Sequence, residues 1–158
     1  MGSMKQLLLL LLSCGICQTM VAQGYIDLTK EKALKKLEKS KSNNAGININ
    51  ISATDTTLSY LVRDKSVQNL DLILYFDNKN RCYKERKVLT CDSCYQQFLN
   101  NILADKYYRW TKINDTTYYS RFPYRIILTT AMANAYTLEL RRSDVAGNEY
   151  RKTVRQGL

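Results

Sequence analysis

The sequence predicts an α+β fold, an antiparallel β-sheet built of hairpins with two helices packed on one face. Three observations carry this expectation. Apolar residues recur at helical spacing in two short segments, they alternate at period two through most of the remainder, and the connections between the alternating runs are short.

The first stretch is read as an export signal rather than an element of the fold. Lys5 precedes the unbroken run Leu7 to Leu12, small residues follow to Val21-Ala22-Gln23, and no charge lies between Lys5 and Asp27. A membrane-spanning helix needs ~20 predominantly apolar residues, and here Ser13, Gly15, Gln18 and Thr19 interrupt the run. Residues 1–22 are therefore expected to be removed after Ala22, leaving residues 23–158 as a single exported domain, periplasmic, on the cell surface or secreted, with no transmembrane helix in the mature chain. Leu11-Leu12-Ser13-Cys14 resembles a bacterial lipobox, which makes a lipid anchor at Cys14 the alternative, against which the short apolar run counts.

Past the signal, a helix is expected from about Lys30 to Lys41, with Thr29 as its N-cap. Ala33, Leu34 and Leu37 share one face and Lys32, Lys35, Lys36 and Lys39 lie opposite, the solvated side of an amphipathic helix. The same cationic stripe is the candidate for peripheral contact with a membrane surface, although no aromatic anchors the apolar face. Ser42-Asn43-Asn44-Ala45-Gly46 ends the helix. Ile47, Ile49 and Ile51 then alternate with polar residues, and Leu58, Tyr60 and Val62 continue after a turn at Ala53 to Asp55, giving a hairpin. A second hairpin has Leu70, Leu72, Leu74 and Phe76 on one side, a turn at Asp77 to Asn80, and a return strand from about Cys82 to Leu89. Tyr95, Phe98, Leu99, Ile102 and Leu103 restore helical spacing over 92–105. A third hairpin is expected from Tyr107–Ile113 and Thr117–Phe122, and after Pro123 a fourth from Tyr124–Thr130 and Tyr136–Arg142, turning near Ala133-Asn134. Residues 143–158 are read as an edge strand or a frayed tail. Leu34, Leu37, Leu72, Leu74, Phe98, Ile102, Ile126 and Leu138 are the expected core.

Composition bounds the chemistry. The chain has 24 Lys plus Arg against 14 Asp plus Glu, and loss of Lys5 with the signal leaves 23 against 14, a net of +9. That balance favours anionic partners, yet the cations are scattered and an exported protein does not meet nucleic acid, so solubility is the simpler reading. The absence of histidine excludes Ser-His-Asp and Cys-His arrangements, His-ligated zinc and imidazole acid-base catalysis. No glycine-rich phosphate loop or calcium loop is present, no carboxylate pair invites a catalytic assignment, and no cofactor or metal is implied.

Asp-Thr-Thr occurs twice, at Asp55-Thr56-Thr57 and Asp115-Thr116-Thr117, each at an expected hairpin tip where Asp and Thr favour turns. Both triplets are also similar to the pattern on which secreted Bacteroidota proteins carry O-glycans, which makes Thr56 and Thr116 candidate modification sites. Asn50-Ile51-Ser52 and Asn114-Asp115-Thr116 match the N-glycosylation acceptor pattern. A signal ending in Ala22-Gln23 followed by a small Tyr- and Asn-rich β domain resembles the uncharacterised secreted proteins of Bacteroidota, a likeness of style over the whole chain that implies an envelope location and supplies no activity.

The one reactive-looking motif is Cys91-Asp92-Ser93-Cys94, expected at a helix N-terminus whose unpaired amides stabilise a thiolate. The arrangement is similar to that of thioredoxin-like oxidoreductases and implies Cys91 and Cys94 as a redox pair. Against it stand the hairpins upstream in place of a βαβ unit and Thr90 where those enzymes carry Trp. Three functions follow as expectations: a secreted non-catalytic binding or interaction module for a protein or glycan of the cell envelope, a periplasmic thiol-disulfide oxidoreductase, and a structural or inhibitory accessory of an envelope complex. The binding module is preferred because twelve Tyr against three Phe is more phenol than a core of this size wants, and Tyr suits exposed recognition surfaces.

Overall fold

The computed structural model describes residues 24–64, 69–120, 125–132 and 135–143. The expected export segment with Cys14, Pro123, the turn at Ala133-Asn134 and residues 144–158 with their expected edge strand lie outside them. The described elements run α1 (Lys30–Asn43), β1 (Ile49–Ala53), β2 (Thr57–Val62), β3 (Leu70–Phe76), β4 (Cys82–Leu89), α2 (Asp92–Ala104), β5 (Thr111–Asn114), β6 (Thr117–Ser120), β7 (Ile126–Met132) and β8 (Tyr136–Arg142). All eight strands form one sheet in the order β1-β2-β3-β4-β8-β7-β6-β5, and every pairing is antiparallel. The expected α+β architecture, without a parallel crossover, is the architecture found.

The chain repeats itself. A helix followed by a four-stranded meander occurs twice, and the two meanders join edge to edge through their last strands, β4 and β8. Because those strands pair antiparallel, the halves are related by a topological half-turn about the seam, with Arg86 opposite Glu139 at its middle. The two Asp-Thr-Thr triplets occupy the same place in each half. Phe76 N on β3 donates to Thr56 O at 2.8 Å, and Thr130 N on β7 donates to Thr116 O at 2.8 Å.

One face of the sheet is the core. The alternation of Leu58, Tyr60 and Val62 on β2 with Leu70, Leu72, Leu74 and Phe76 on β3 puts these side chains on a common side, joined by Leu138 and Leu140 on β8 and Ile126 and Leu128 on β7. Ala33 and Leu37 of α1 and Tyr95 and Phe98 of α2 close the same cluster, so both helices cover this face. Of the expected core, Leu37, Leu72, Leu74, Phe98, Ile126 and Leu138 are buried, while Leu34 and Ile102 are half-buried at its margin.

Helix α1 starts as expected: the Thr29 side chain accepts from Lys32 N at 3.4 Å. It runs two residues beyond the expected end, because Asn44 closes it with its own N–H to Lys41 O and its side-chain amide to Ser40 O at 2.7 Å. Three strand expectations need correction, the first at Arg125, which takes a left-handed backbone (φ 52) outside β7, so that strand runs Ile126–Met132. Ile47 lies outside β1, in a turn in which its N–H donates to Asn44 O. Tyr107 to Trp110 are not strand, and β5 begins only at Thr111. Their aromatic rings close the end of α2 instead: Trp110 Nε1 donates to Ile102 O at 2.8 Å, Tyr108 stacks on Trp110 with centroids 5.3 Å apart, and Arg109 takes a left-handed backbone (φ 47) to make the bend.

Candidate functional site

On the core face of β4 the apolar rows are broken by two charges. Glu85 stands between Leu74 of β3 and Leu140 of β8, and Lys87 between Leu72 and Leu138. Both are buried, 0% and 1% exposed. Being two apart on one strand they share a face, and Lys87 Nζ donates to Glu85 Oε1. The other carboxylate oxygen, Oε2, accepts from Tyr25 N at 3.0 Å. A buried ion pair is tolerated only where its geometry and extra hydrogen bonds offset desolvation, and here the entering chain supplies one of those bonds. Beside the pair lies a cavity of about 60 Å³, lined also by Gly24, Asn101, Ile102, Asp105 and Tyr108. An ammonium has three donors and Glu85 takes one, so a space that holds a few waters at ~10–15 Å³ each suits the others. Gly24 permits this approach, since a Cβ there would stand 2.8 Å from the Tyr108 hydroxyl. Lys36 of α1 leans over the Tyr25 ring, 4.6 Å from its centroid. Its pKa is lowered by burial, Lys87 pushing the same way and Glu85 opposing. Burial, with the Glu85 carboxylate next, pushes the Tyr25 phenol far up.

The segment leading to α1 is clamped to the sheet at both ends of the chain's course. Asp27, in a left-handed conformation (φ 69), receives Arg81 at 3.0 Å and Arg142 at 3.0 Å, and Arg142 reaches Asp77 at 2.8 Å. Asp27 N donates to Cys82 O and Cys82 N to Leu28 O, which pairs the segment with the start of β4. The Asp77 carboxyl is held below the usual range although burial acts the other way, because the Arg81 and Lys79 amides and the Arg142 guanidinium outweigh it.

The expected redox pair is brought together. Cys91 is the N-cap of α2, its Sγ accepting from Cys94 N at 3.3 Å, and the two Sγ atoms lie 2.7 Å apart. Ser93 Oγ is 3.1 Å from Cys91 Sγ. Both cysteines are half-buried, whereas Cys82, at the opposite end of β4, is fully buried and its thiol is pushed far up by burial and then by Glu85.

The other expected site residues are dispersed. Thr56 and Thr116 are exposed at the β1–β2 and β5–β6 tips, far along the sheet order from one another. Lys32, Lys35 and Lys39 are exposed as expected, but Lys36 is half-buried against Tyr25 and does not belong to the solvated stripe. The tyrosines divide: Tyr25, Tyr60, Tyr95 and Tyr119 are buried, and Tyr107 is the widely exposed one among the described residues. Among these residues no three His, Cys, Asp or Glu side chains converge as a metal site, and no helix is long and apolar enough to cross a membrane.

Sequence reasoning did not foresee the sheet face opposite the two described helices as a composed surface. Leu61, Ile73, Tyr75 and Val88 are half-buried there, among Lys84, Arg86 and Arg141. Lys84 Nζ sits 3.9 Å over the Tyr75 ring, and Lys84 and Arg141 face each other directly across the seam, a like-charge pairing that disfavours the sheet by itself. Of the acids on this face, Asp71 is engaged by Arg63 and Glu139 stands opposite Arg86. Toward β6 and β7 burial deepens at Tyr119 and Ile127, so the accessible stretch is β1 to β4 with β8. No protein-family model, no curated protein and no solved structure matches this chain.

Proposed function

We propose that the chain is an exported binding module that presents the sheet face opposite its two described helices to an acidic protein surface in the cell envelope. The observation that carries this reading is the Tyr75, Lys84, Arg86, Arg141 patch. It combines half-buried apolar and aromatic area with a cluster of cations whose sign complements an acidic partner. The strands already fix the backbone beneath these side chains, so the ordering cost on binding falls on the Lys and Arg rotamers alone. The buried ion pair and the clamp at Asp27 serve the scaffold beneath.

The test is capture from an envelope extract by wild type and by the Lys84→Glu/Arg86→Glu variant, both at low salt. A partner held by wild type, released as salt rises and lost with the variant supports the reading. Equal capture by both refutes it. If the captured partner is an enzyme, a fall in its rate on binding identifies the module as an inhibitory accessory.

A further inference from the structure

Cys91 and Cys94 form, we infer, a thiol–disulfide exchange site that acts on disulfides of exported polypeptides, with Cys91 as the attacking sulfur and Cys94 as the resolving one. This inference stands apart from the binding surface. Three structural observations converge on it. The two Sγ atoms lie 2.7 Å apart, so a disulfide of ~2.05 Å closes with a movement of well under ~1 Å. Cys91 is the N-cap of a 13-residue helix and its sulfur receives the Cys94 amide at 3.3 Å, with the Ser93 hydroxyl at 3.1 Å, so the groups around it favour negative charge on that atom. Thr90, Asp92 and Ser93 around the pair are exposed, which opens the site to an incoming disulfide. A purely structural purpose is poorly served, because a bond across a single helical turn closes a very short loop and constrains the unfolded chain least.

The step balances as follows. The Cys91 thiolate attacks one sulfur of the substrate disulfide. That S–S bond breaks, the second substrate sulfur leaves as a thiolate and takes a proton, and Cys91 is held in a mixed disulfide. Cys94 Sγ then gives its proton to solvent and attacks Cys91 Sγ. The mixed disulfide breaks, the Cys91–Cys94 bond forms, and the substrate departs with both of its sulfurs reduced. Two electrons pass from the pair to the substrate.

Cys82 supplies an internal control, because it is fully buried and reacts only where the fold is lost. The experiment incubates the reduced full chain with glutathione disulfide, quenches with a maleimide and maps each cysteine by peptide, so that Cys14 and Cys17 are scored separately. Wild type should form the Cys91–Cys94 bond without a lasting adduct. Cys94→Ser should stop with one glutathione on Cys91, and Cys91→Ser should react at least about tenfold more slowly, all three with Cys82 unlabelled. The inference is overturned if wild type keeps glutathione on either cysteine, if it stays reduced, or if Cys91→Ser reacts as fast as Cys94→Ser. A variant in which Cys82 becomes labelled has lost its fold, and Cys91→Ala and Cys94→Ala then replace it in the same comparison.

Discussion

Removing one member of the Glu85–Lys87 pair should cost far more than removing both. Glu85→Leu leaves a buried ammonium among Leu72, Leu138 and the cavity wall, and breaking a buried pair in this way costs about 3–5 kcal/mol. Lys87→Met leaves the carboxylate still held by the Tyr25 amide, so its loss belongs at the lower end, about 3 kcal/mol. The double variant extends the apolar row from Leu74 to Leu140 and from Leu72 to Leu138. Its main deficit is the orphaned Tyr25 N–H, worth about 1–3 kcal/mol, and replacing a buried pair by apolar residues gives back up to a comparable amount. Against a total stability of ~5–15 kcal/mol, each single variant should be visibly crippled and the double close to wild type. Urea unfolding with an unchanged slope reads these values, and a double-mutant cycle should return a coupling of about 3 kcal/mol or more. Single variants costing less than about 1 kcal/mol each, or costs that simply add in the double, would refute the account of this pair as a mutually dependent buried unit.

Three further outcomes are expected. Asp77 has a depressed pKa in the folded state, so its contribution to stability is complete above the unfolded value of ~3.9 and disappears as pH falls through the folded value; thermal melts on acidification should show wild type losing this increment and Asp77→Asn lacking it. Thr29→Ala removes the acceptor for Lys32 N and should cost about 1 kcal/mol in urea unfolding, whereas a neutral result would mean that the Ala33 N to Thr29 O bond alone secures the helix start. Exported protein should begin at Gln23, and an intact mass that retains Met1 or Met4 would overturn the reading of residues 1–22 as a removed signal.

Most strands were legible because each has one buried face, and period-two alternation reports that directly, as in Leu70, Leu72, Leu74 and Phe76. The helices were legible for the same reason at period 3.6, with Thr29 marking the first start. The buried pair was not. Counting back from the turn at Asp77 to Asn80 without an irregularity would set Tyr75 against Tyr83 and turn Glu85 outward. A bulge shifts the register so that Tyr75 faces Lys84, and every later side chain of β4 changes face. Only that one extra residue makes a strand reading Lys84-Glu85-Arg86-Lys87 carry charge into the core. Tyr107 to Trp110 misled for a different reason: aromatic residues suit strands in general, and here a helix end recruits them through the Ile102 carbonyl. The Cys91–Cys94 proximity was legible from spacing, since positions three apart at a helix start face one another, but the direction of the Cys94 amide required coordinates.

The seam between β4 and β8 also bears on the order of assembly in a chain that emerges N-terminus first. β4 is complete long before β8 is made, and until residues 136–142 arrive it is the bare edge of a four-stranded sheet, the kind of surface on which nascent chains stick to one another. Its four consecutive charges, two of them aimed inward, are a poor template for any strand except one that meets them with Leu138, Glu139, Leu140 and Arg141 in the right register. The pair that weakens the half-finished sheet as an aggregation edge is thus sealed only when β8, the last described strand, docks, so β4 favours β8 over a stranger.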